Sequence, residues 1–311
     1  MKKETTVWYE GKNDYRKVTR VIDRESKEQT FHIELLDVEQ ESYDSVYDIF
    51  YDHLNKRQTK FVEVMYSGGL DSEVVLMSCI HNKIPVKAMT MRLMVNGFPI
   101  NTHDLYYSER FCRQNDIEHK IIDMNVNQLY ESGDYIKYLE PYNITNAHVA
   151  TQYKLITEST GYAVFGGDYY WPWAHLEKPV LSPFRIHYGQ YQRFMDENSI
   201  HGIGNMIGHS LESMSLFINT HVSVFDNNIH NISHGKMPQL KFDILNKLGF
   251  NIKEPRLRSY GWETTPASVF DLKMYDDYLI NLFGETENYV TWNKTIADAM
   301  HSDPGTNNRF K

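Results

Sequence analysis

Cysteine is nearly missing: Cys79 and Cys112 are the only two in 311 residues. A disulfide framework and a four-cysteine zinc site are both excluded. The two thiols lie in helix-like patterns and read as small buried residues rather than nucleophiles. Long apolar runs are missing as well, and none approaches the about 20 residues of a membrane helix. The start "MKKETTVWYEGKNDYRK" is basic but has no apolar core behind it. No signal peptide is read there, and a cytoplasmic protein with no membrane role is expected. The Asn-x-Ser/Thr matches at Asn143, Asn231 and Asn293 are then chance. Positive charge is short: 32 Lys+Arg against 41 Asp+Glu leave a net −9. That balance argues against a nucleic-acid-coating surface, though a local basic groove stays open. The phosphate loop G-x-x-x-x-G-K-[ST] is absent, which argues against an ordinary Walker-type NTPase.

What is present is an alternation of strand and helix patterns. Residues 1–38 read as a small β element, "TTVWYE" and "QTFHIELLDV" joined by a charged turn. Residues 39–57 space Val46, Ile49, Phe50 and Leu54 at helical intervals. "FVEVMY" (61–66) is almost continuously apolar, as in a parallel strand covered on both faces. Helices are then expected at 71–82, 104–116 and 147–160, and strands at 86–93, 119–125 and 162–167. This is the pattern of an α/β, doubly wound parallel sheet. From 181 to 300 the chain reads as mostly helical, with segments at 188–198, 206–222, 239–249 and 268–284. Residues 301–311 read as a disordered tail. Tyrosine is abundant, with 22 residues, and hints at a polar, aromatic-lined surface.

The chemistry concentrates in "EVMYSGGLDSEVVL" (63–76). Two adjacent glycines let the backbone turn sharply and approach a ligand, because no Cβ intervenes. The helix that follows offers unpaired N–H groups and a partial positive charge at its N-terminus. Together they form an anion site, most often for phosphate. Ser67 and Ser72 add hydroxyls. A carboxylate at Asp71 would repel phosphate unless it reaches a Mg²⁺ bridging the phosphates. The simpler alternative is that Asp71 or Ser72 merely caps the helix.

Ser67-Gly68-Gly69-Leu70-Asp71-Ser72 resembles the SGGxDS pyrophosphate loop of the PP-loop (N-type) ATP pyrophosphatases. That superfamily includes asparagine, β-lactam, GMP and NAD synthetases and several tRNA-modifying enzymes. The resemblance implies a HUP, adenine nucleotide alpha hydrolase-like domain over 39–180. It implies ATP and Mg²⁺ as cofactors, with Ser67 to Ser72 holding the β- and γ-phosphates. Within the superfamily the chain looks most like the synthetase domain of asparagine synthetase. The preceding helix, Leu at the loop's variable position and a later Gly166-Gly167-Asp168 turn carry that likeness. The turn is shorter than the family's G-x-G-x-D-E and lacks its Glu. Asp71 and Asp168 are the implied metal ligands. Met91, at the expected end of the second strand (Thr90-Met91-Arg92), and Phe165 with Gly166 would line the adenine pocket. The likeness is strong over 39 to about 170, weak beyond and absent in 1–38. The glutaminase domain of that group starts with cysteine at position 2. Here Lys2 stands there, so nitrogen would come from ammonia, an amine substrate or a separate partner.

Arg256 and Arg258 alternate with Leu257 and could face one way, towards the α-phosphate or departing pyrophosphate; a solvated loop is the other reading. Lys178 is a weaker candidate. His221, His230 and His234 lack an accompanying acid and are not read as zinc ligands. "GIGNMIG" (202–208) has no strand before it and is not a dinucleotide loop. The expected function is an ATP-dependent, AMP-forming ligase that adenylates a small-molecule carboxylate or amide oxygen and transfers an amine or ammonia. The alternatives are a nucleobase or tRNA modification enzyme and an inactive ATP-binding module. Homo-oligomerisation is left open.

Overall fold

The computed structural model describes residues 2–8, 16–23, 29–35, 45–55, 61–142, 147–166, 186–207, 213, 237–257, 270 and 273–283. The N-terminal element is a three-stranded antiparallel sheet, β1 (Lys2–Trp8), β2 (Arg16–Asp23) and β3 (Gln29–Leu35), in that order. The charged stretch read as a turn therefore contains a strand. β2 supplies the central ladder, pairing Val18 with both Val7 and Ile33.

The main sheet is doubly wound. α1 (Val46–Asn55) leads to β4 (Val62–Met65), α2 (Leu70–His81) and β5 (Val86–Val95). β6 (Phe98–Pro99), α3 (Thr102–Gln114) and β7 (Glu118–Asn125) follow. Then come α4 (Val126–Glu131), α5 (Ile136–Leu139), α6 (Val149–Ile156) and β8 (Tyr162–Phe165). β5 and β8 flank β4 in parallel, β7 adds to β5 in parallel, and β6 pairs antiparallel with the end of β5. α7 (Ile186–Glu197) precedes β9 (Gly202–Ile203), a short fifth parallel strand beside β8. β9 lies inside "GIGNMIG", where no strand was expected. Gly202 fits because a Cβ there would meet the Ala163 carbonyl at 2.3 Å. α8 (Met237–Leu248) and α9 (Lys273–Phe283) complete the described elements.

Side chains alternate across the sheet, as the strand period of two requires. Val62, Val64, Tyr66, Ala88, Val164 and Ile203 join one core with α1, α2 and α8. Met65, Met89, Leu93, Ala163 and Phe165 join the other, with α6 and α7. Both faces are covered, which is why β4 and β8 are buried throughout. Residues 202–203 thus share the sheet, and 237–252 the core, with the elements of 46–165. Tyr66, Tyr130, Tyr135, Tyr142, Tyr153, Tyr162 and Tyr191 are buried. Among the described residues, tyrosine builds core more than the aromatic surface its abundance suggested. Cys79 and Cys112 are buried as expected, and burial pushes both thiols up to about 12. Among the described residues no helix is long and apolar enough to cross a membrane. Most of 206–222 and all of 301–311 lie outside the described residues.

One charge interrupts β4. Glu63, 3% exposed, accepts from the Ser159 hydroxyl (2.6 Å) and the amides of Thr160 (2.7 Å) and Gly161 (2.8 Å). It ties β4 to the turn that starts β8. Burial alone would raise this carboxyl, but its hydrogen bonds hold it below its ordinary 4.5. Glu63→Gln should lower stability by about 1–3 kcal/mol near neutral pH. A folded value below the unfolded 4.5 makes the difference fully present above pH 4.5, and lost as pH falls through the folded value. Denaturant titrations of both proteins across that range check the size and the sign.

Candidate functional site

From β4 the chain passes to β5 on one side, and later to β8 on the other. A crevice opens outside the carboxyl ends of strands at such a reversal, and ligands bind there in open α/β sheets. The segment 66–70 leaves β4 at this point, and Gly166 leaves β8 beside it.

Close packing demands two of the glycines. Gly68 has φ +74°, and a Cβ on it would stand 2.5 Å from the Asp104 carbonyl oxygen in the first turn of α3. A Cβ on Gly166 would stand 2.4 Å from the Asp71 carbonyl oxygen, so the end of β8 abuts the first turn of α2. Gly69 is the N-cap of α2, so neither Asp71 nor Ser72 holds that position. The simple capping role for Asp71 or Ser72 is thereby overturned. The Ser72 hydroxyl instead donates to the Gly69 carbonyl (3.2 Å), and exposed Ser67 accepts weakly from the Gly69 amide (3.4 Å).

The loop is held by a set of four hydrogen bonds. Arg256 Nε donates to the Gly68 carbonyl at 2.6 Å. Its Nη2 pairs with Glu73 on α2, and its guanidinium lies 4.3 Å from the centre of the Tyr107 ring. The Tyr66 hydroxyl donates to the same Glu73 oxygen at 2.5 Å. The Tyr66 carbonyl accepts from the Thr90 hydroxyl at 2.6 Å, and His119 Nε2 stands 2.8 Å behind that hydroxyl. Burial raises the Glu73 carboxyl, with Arg256 and Tyr66 opposing. Burial also drives the Tyr66 phenol far up, with Glu73 adding to it. Burial lowers His119, which keeps it neutral. The carbonyls of Tyr66 and Gly68 are thus both engaged by side chains of the protein.

Asp71 meets a partner that the sequence did not suggest. Lys241 of α8 places Nζ 2.5 Å from Asp71 Oδ2, with the two side chains 22% and 17% exposed. An ammonium on this oxygen marks a position that suits a cation. Among the described residues no cluster of three or more His, Cys, Asp or Glu could hold a metal unaided. Mg²⁺ commonly takes one or two carboxylates and completes its shell with phosphate oxygens and water. Asp71 fits that kind of site, with the remaining oxygens brought by a ligand.

The other expected residues divide. Leu70 is 2% exposed and belongs to the core, so only its backbone is available. Phe165 packs on Tyr191 at 4.8 Å between ring centres, and its carbonyl accepts from the Met206 amide. The strand carrying Met91 does not end at Arg92: β5 runs on to Val95. β4 stops pairing at Met89, and the carboxamide of Asn101 takes its place beyond. Asn101 donates to the Met91 carbonyl (2.8 Å) and accepts from the Leu93 amide (2.9 Å). One acceptor position of the Met91 carbonyl is thereby taken. Arg256 is not in a solvated loop: at 8% exposed it is buried against the Gly68 carbonyl and Glu73. Gly167, Asp168, Lys178, His221, His230, His234 and Arg258 lie outside the described residues. Sequence reasoning missed Tyr66, Glu73, Asn101, Tyr107 and Lys241. Glu73 carried a signal, as an acid among apolar residues in a buried helix; Lys241 carried none.

No family model and no curated protein matches the chain. Similar solved structures include an NH3-dependent NAD synthetase from Campylobacter jejuni, at 15% identity and TM-score 0.31, covering 66% of this chain and 90% of that one. An NMN synthetase from Francisella tularensis gives 13% and 0.32, covering 67% and 94%. The U34-tRNA thiolase NcsA from Methanococcus maripaludis gives 14% and 0.27, covering 65% and 76%. These likenesses are distant, and the case for the site rests on its own geometry.

Arg256→Met removes one member of a buried pair and leaves Glu73 and the Gly68 carbonyl without it. Stability should fall by about 3–5 kcal/mol. Chemical denaturation monitored by circular dichroism checks this; a loss below about 1 kcal/mol would mean the loop is held otherwise.

Proposed function

We propose that the protein is an ATP-dependent, AMP-forming ligase. The observation that carries this reading is a helix N-terminus at the switch point with glycine as its N-cap, entered by a loop whose Tyr66 and Gly68 carbonyls are engaged by Thr90 and Arg256. Such a cradle suits the β- and γ-phosphates of ATP, held by the amides from Ser67 to Ser72 and the Ser67 hydroxyl. Asp71, with Asp168, is proposed to hold Mg²⁺, which when bound neutralises charge on the phosphates. The adenine would lie towards Met91 and the Phe165–Gly166 end of β8, using contacts other than the Met91 carbonyl. Arg256 keeps the cradle in shape, and Arg258 is proposed to meet the phosphates.

A carboxylate or amide oxygen of the substrate attacks the α-phosphorus in line. The bond from that phosphorus to the bridging oxygen breaks, and diphosphate leaves into the cradle. An amine or ammonia, the latter from solution or a separate partner, then displaces AMP and leaves an amide or amidine. Little side-chain chemistry is needed; positioning and charge neutralisation suffice. The resemblance to asparagine synthetase read from the sequence motifs makes a carboxylate the first acceptor to try.

An ATP–pyrophosphate exchange screen against amino acids, other carboxylic acids and nucleobases tests the reading. Exchange with one acceptor class and release of AMP is the expected result. Formation of ADP and phosphate would overturn it, and tight ATP binding with no turnover would make the chain a binding module. Asp71→Ala should reduce exchange by about 100-fold or more.

A further inference from the structure

We propose that His103 is a further phosphate-binding residue, whose Nε2 meets an oxygen of the diphosphate seated in the loop Ser67–Ser72. This deepens the reading above and rests on its phosphate cradle. His103 is 5% exposed, and its Nε2 is buried with no hydrogen-bond partner among the described residues. A ring nitrogen in that state has lost its hydrogen bond to water and gained none in exchange. Nearly all buried polar groups in folded proteins have a partner. An exception beside a ligand crevice points to a partner that comes with the ligand.

The place of the ring fits that partner. His103 stands in the first turn of α3, a helix of 13 residues that follows β5 and β6. The Asp104 carbonyl oxygen in the same turn is what a Cβ on Gly68 would meet at 2.5 Å. The loop and the first turn of α3 are thus in backbone contact, one residue from the ring. Helical side chains lean towards the N-terminus of their own helix, so a first-turn ring reaches towards the end of α3 that adjoins the loop. That end also carries the partial positive charge of the helix. Tyr107, one turn further on, meets the His103 ring edge-on at 4.8 Å between centres. The Arg256 guanidinium lies 4.3 Å from the Tyr107 centre and donates to the Gly68 carbonyl. Loop and ring are therefore braced by the same arginine. Asp104 Oδ1 stands 4.0 Å from Nδ1, beyond hydrogen-bond range, which places this carboxylate on the Nδ1 side of the ring. Nε2 donates in the imidazolium and in one of the two neutral tautomers, so it can serve a phosphate oxygen. The nitrogen is a burden in the empty protein and a contact in the loaded one.

The test titrates the full chain with inorganic pyrophosphate, in buffer holding Mg²⁺, by isothermal calorimetry. His103→Leu should bind pyrophosphate about tenfold or more weakly than wild type. His103→Gln, whose amide nitrogen reaches close to the place of Nε2, should keep most of the affinity. His103→Asn is too short and should lose as much as the leucine variant. Without ligand, His103→Leu should melt at or above the wild-type temperature, because an unpartnered polar atom has gone. A ring that serves packing alone gives the opposite pair of results, a lowered melting temperature and unchanged pyrophosphate affinity, and that pair overturns the proposal. The asparagine and glutamine variants carry the comparison if the leucine variant does not fold; equal affinity in both overturns it as well. If the wild-type chain takes up no pyrophosphate, the cradle reading falls and this inference with it. Gly68→Ala, which drives a Cβ into the Asp104 carbonyl, separates the two failures. If it abolishes binding while the His103 variants match wild type, only the role of His103 falls.

Discussion

The bond from Arg256 Nε to the carbonyl of Gly68 sets the character of the site. A loop of two glycines has no side chains to bias its peptide planes, and either edge could face the crevice. A carbonyl turned outward would repel phosphate; an amide turned outward attracts it. Arg256 draws one carbonyl inward and Thr90 draws the other, that of Tyr66. Glu73 then neutralises the guanidinium at depth and takes the Tyr66 hydroxyl as well. Every member of the buried group has a partner, which lets a charge pair persist beneath a polar loop. The positive φ at Gly68 and the tight contact with Asp104 follow from the same constraint, because the loop is pulled down onto α3.

Much of the frame was legible. Periodicity placed α2, α3, β7 and α8 close to their observed limits, because one-sided burial writes a period into the sequence. The motif Ser67–Ser72 fell where a strand becomes a helix, since local chemistry and local geometry coincide there. The failures have a common physical origin in contacts between distant parts of the chain. β9 is two residues long, too short for any period. It is a strand only because β8 offers an open edge. β5 extends past Arg92 because β7 pairs it to Met94 and β6 pairs its end, while Asn101 substitutes for the neighbour that β4 does not provide. Asn101 gives no hint of this in the sequence.

Arg256 shows the limit from the other side. Its basic stretch stood out, and a role at the phosphate site was expected of it. Its alternation with Leu257 did not reveal which way it faces. Leu257 is 57% exposed and Arg256 is buried, the reverse of what polarity alone suggests. An arginine is buried when its fork finds fixed acceptors, and here a carboxylate and a backbone carbonyl supply them across 183 and 188 residues of sequence. Such pairing distances lie beyond any local pattern.

The two cations at the site therefore both come from the segment after β9, on a chain whose net charge is −9. Asp71 and Glu73 lie two positions apart in the first turn of α2, and each is met by one of them, Lys241 or Arg256. The partners differ in exposure, and this divides their roles. Arg256–Glu73 is 6% and 7% exposed; it is desolvated and dismantled only at a large cost. Lys241–Asp71 is 22% and 17% exposed, near enough to water for its partners to exchange. The fixed pair beneath the loop gives it shape. Neither pair can form from 39–180 alone, because Lys241 and Arg256 both lie in 237–257.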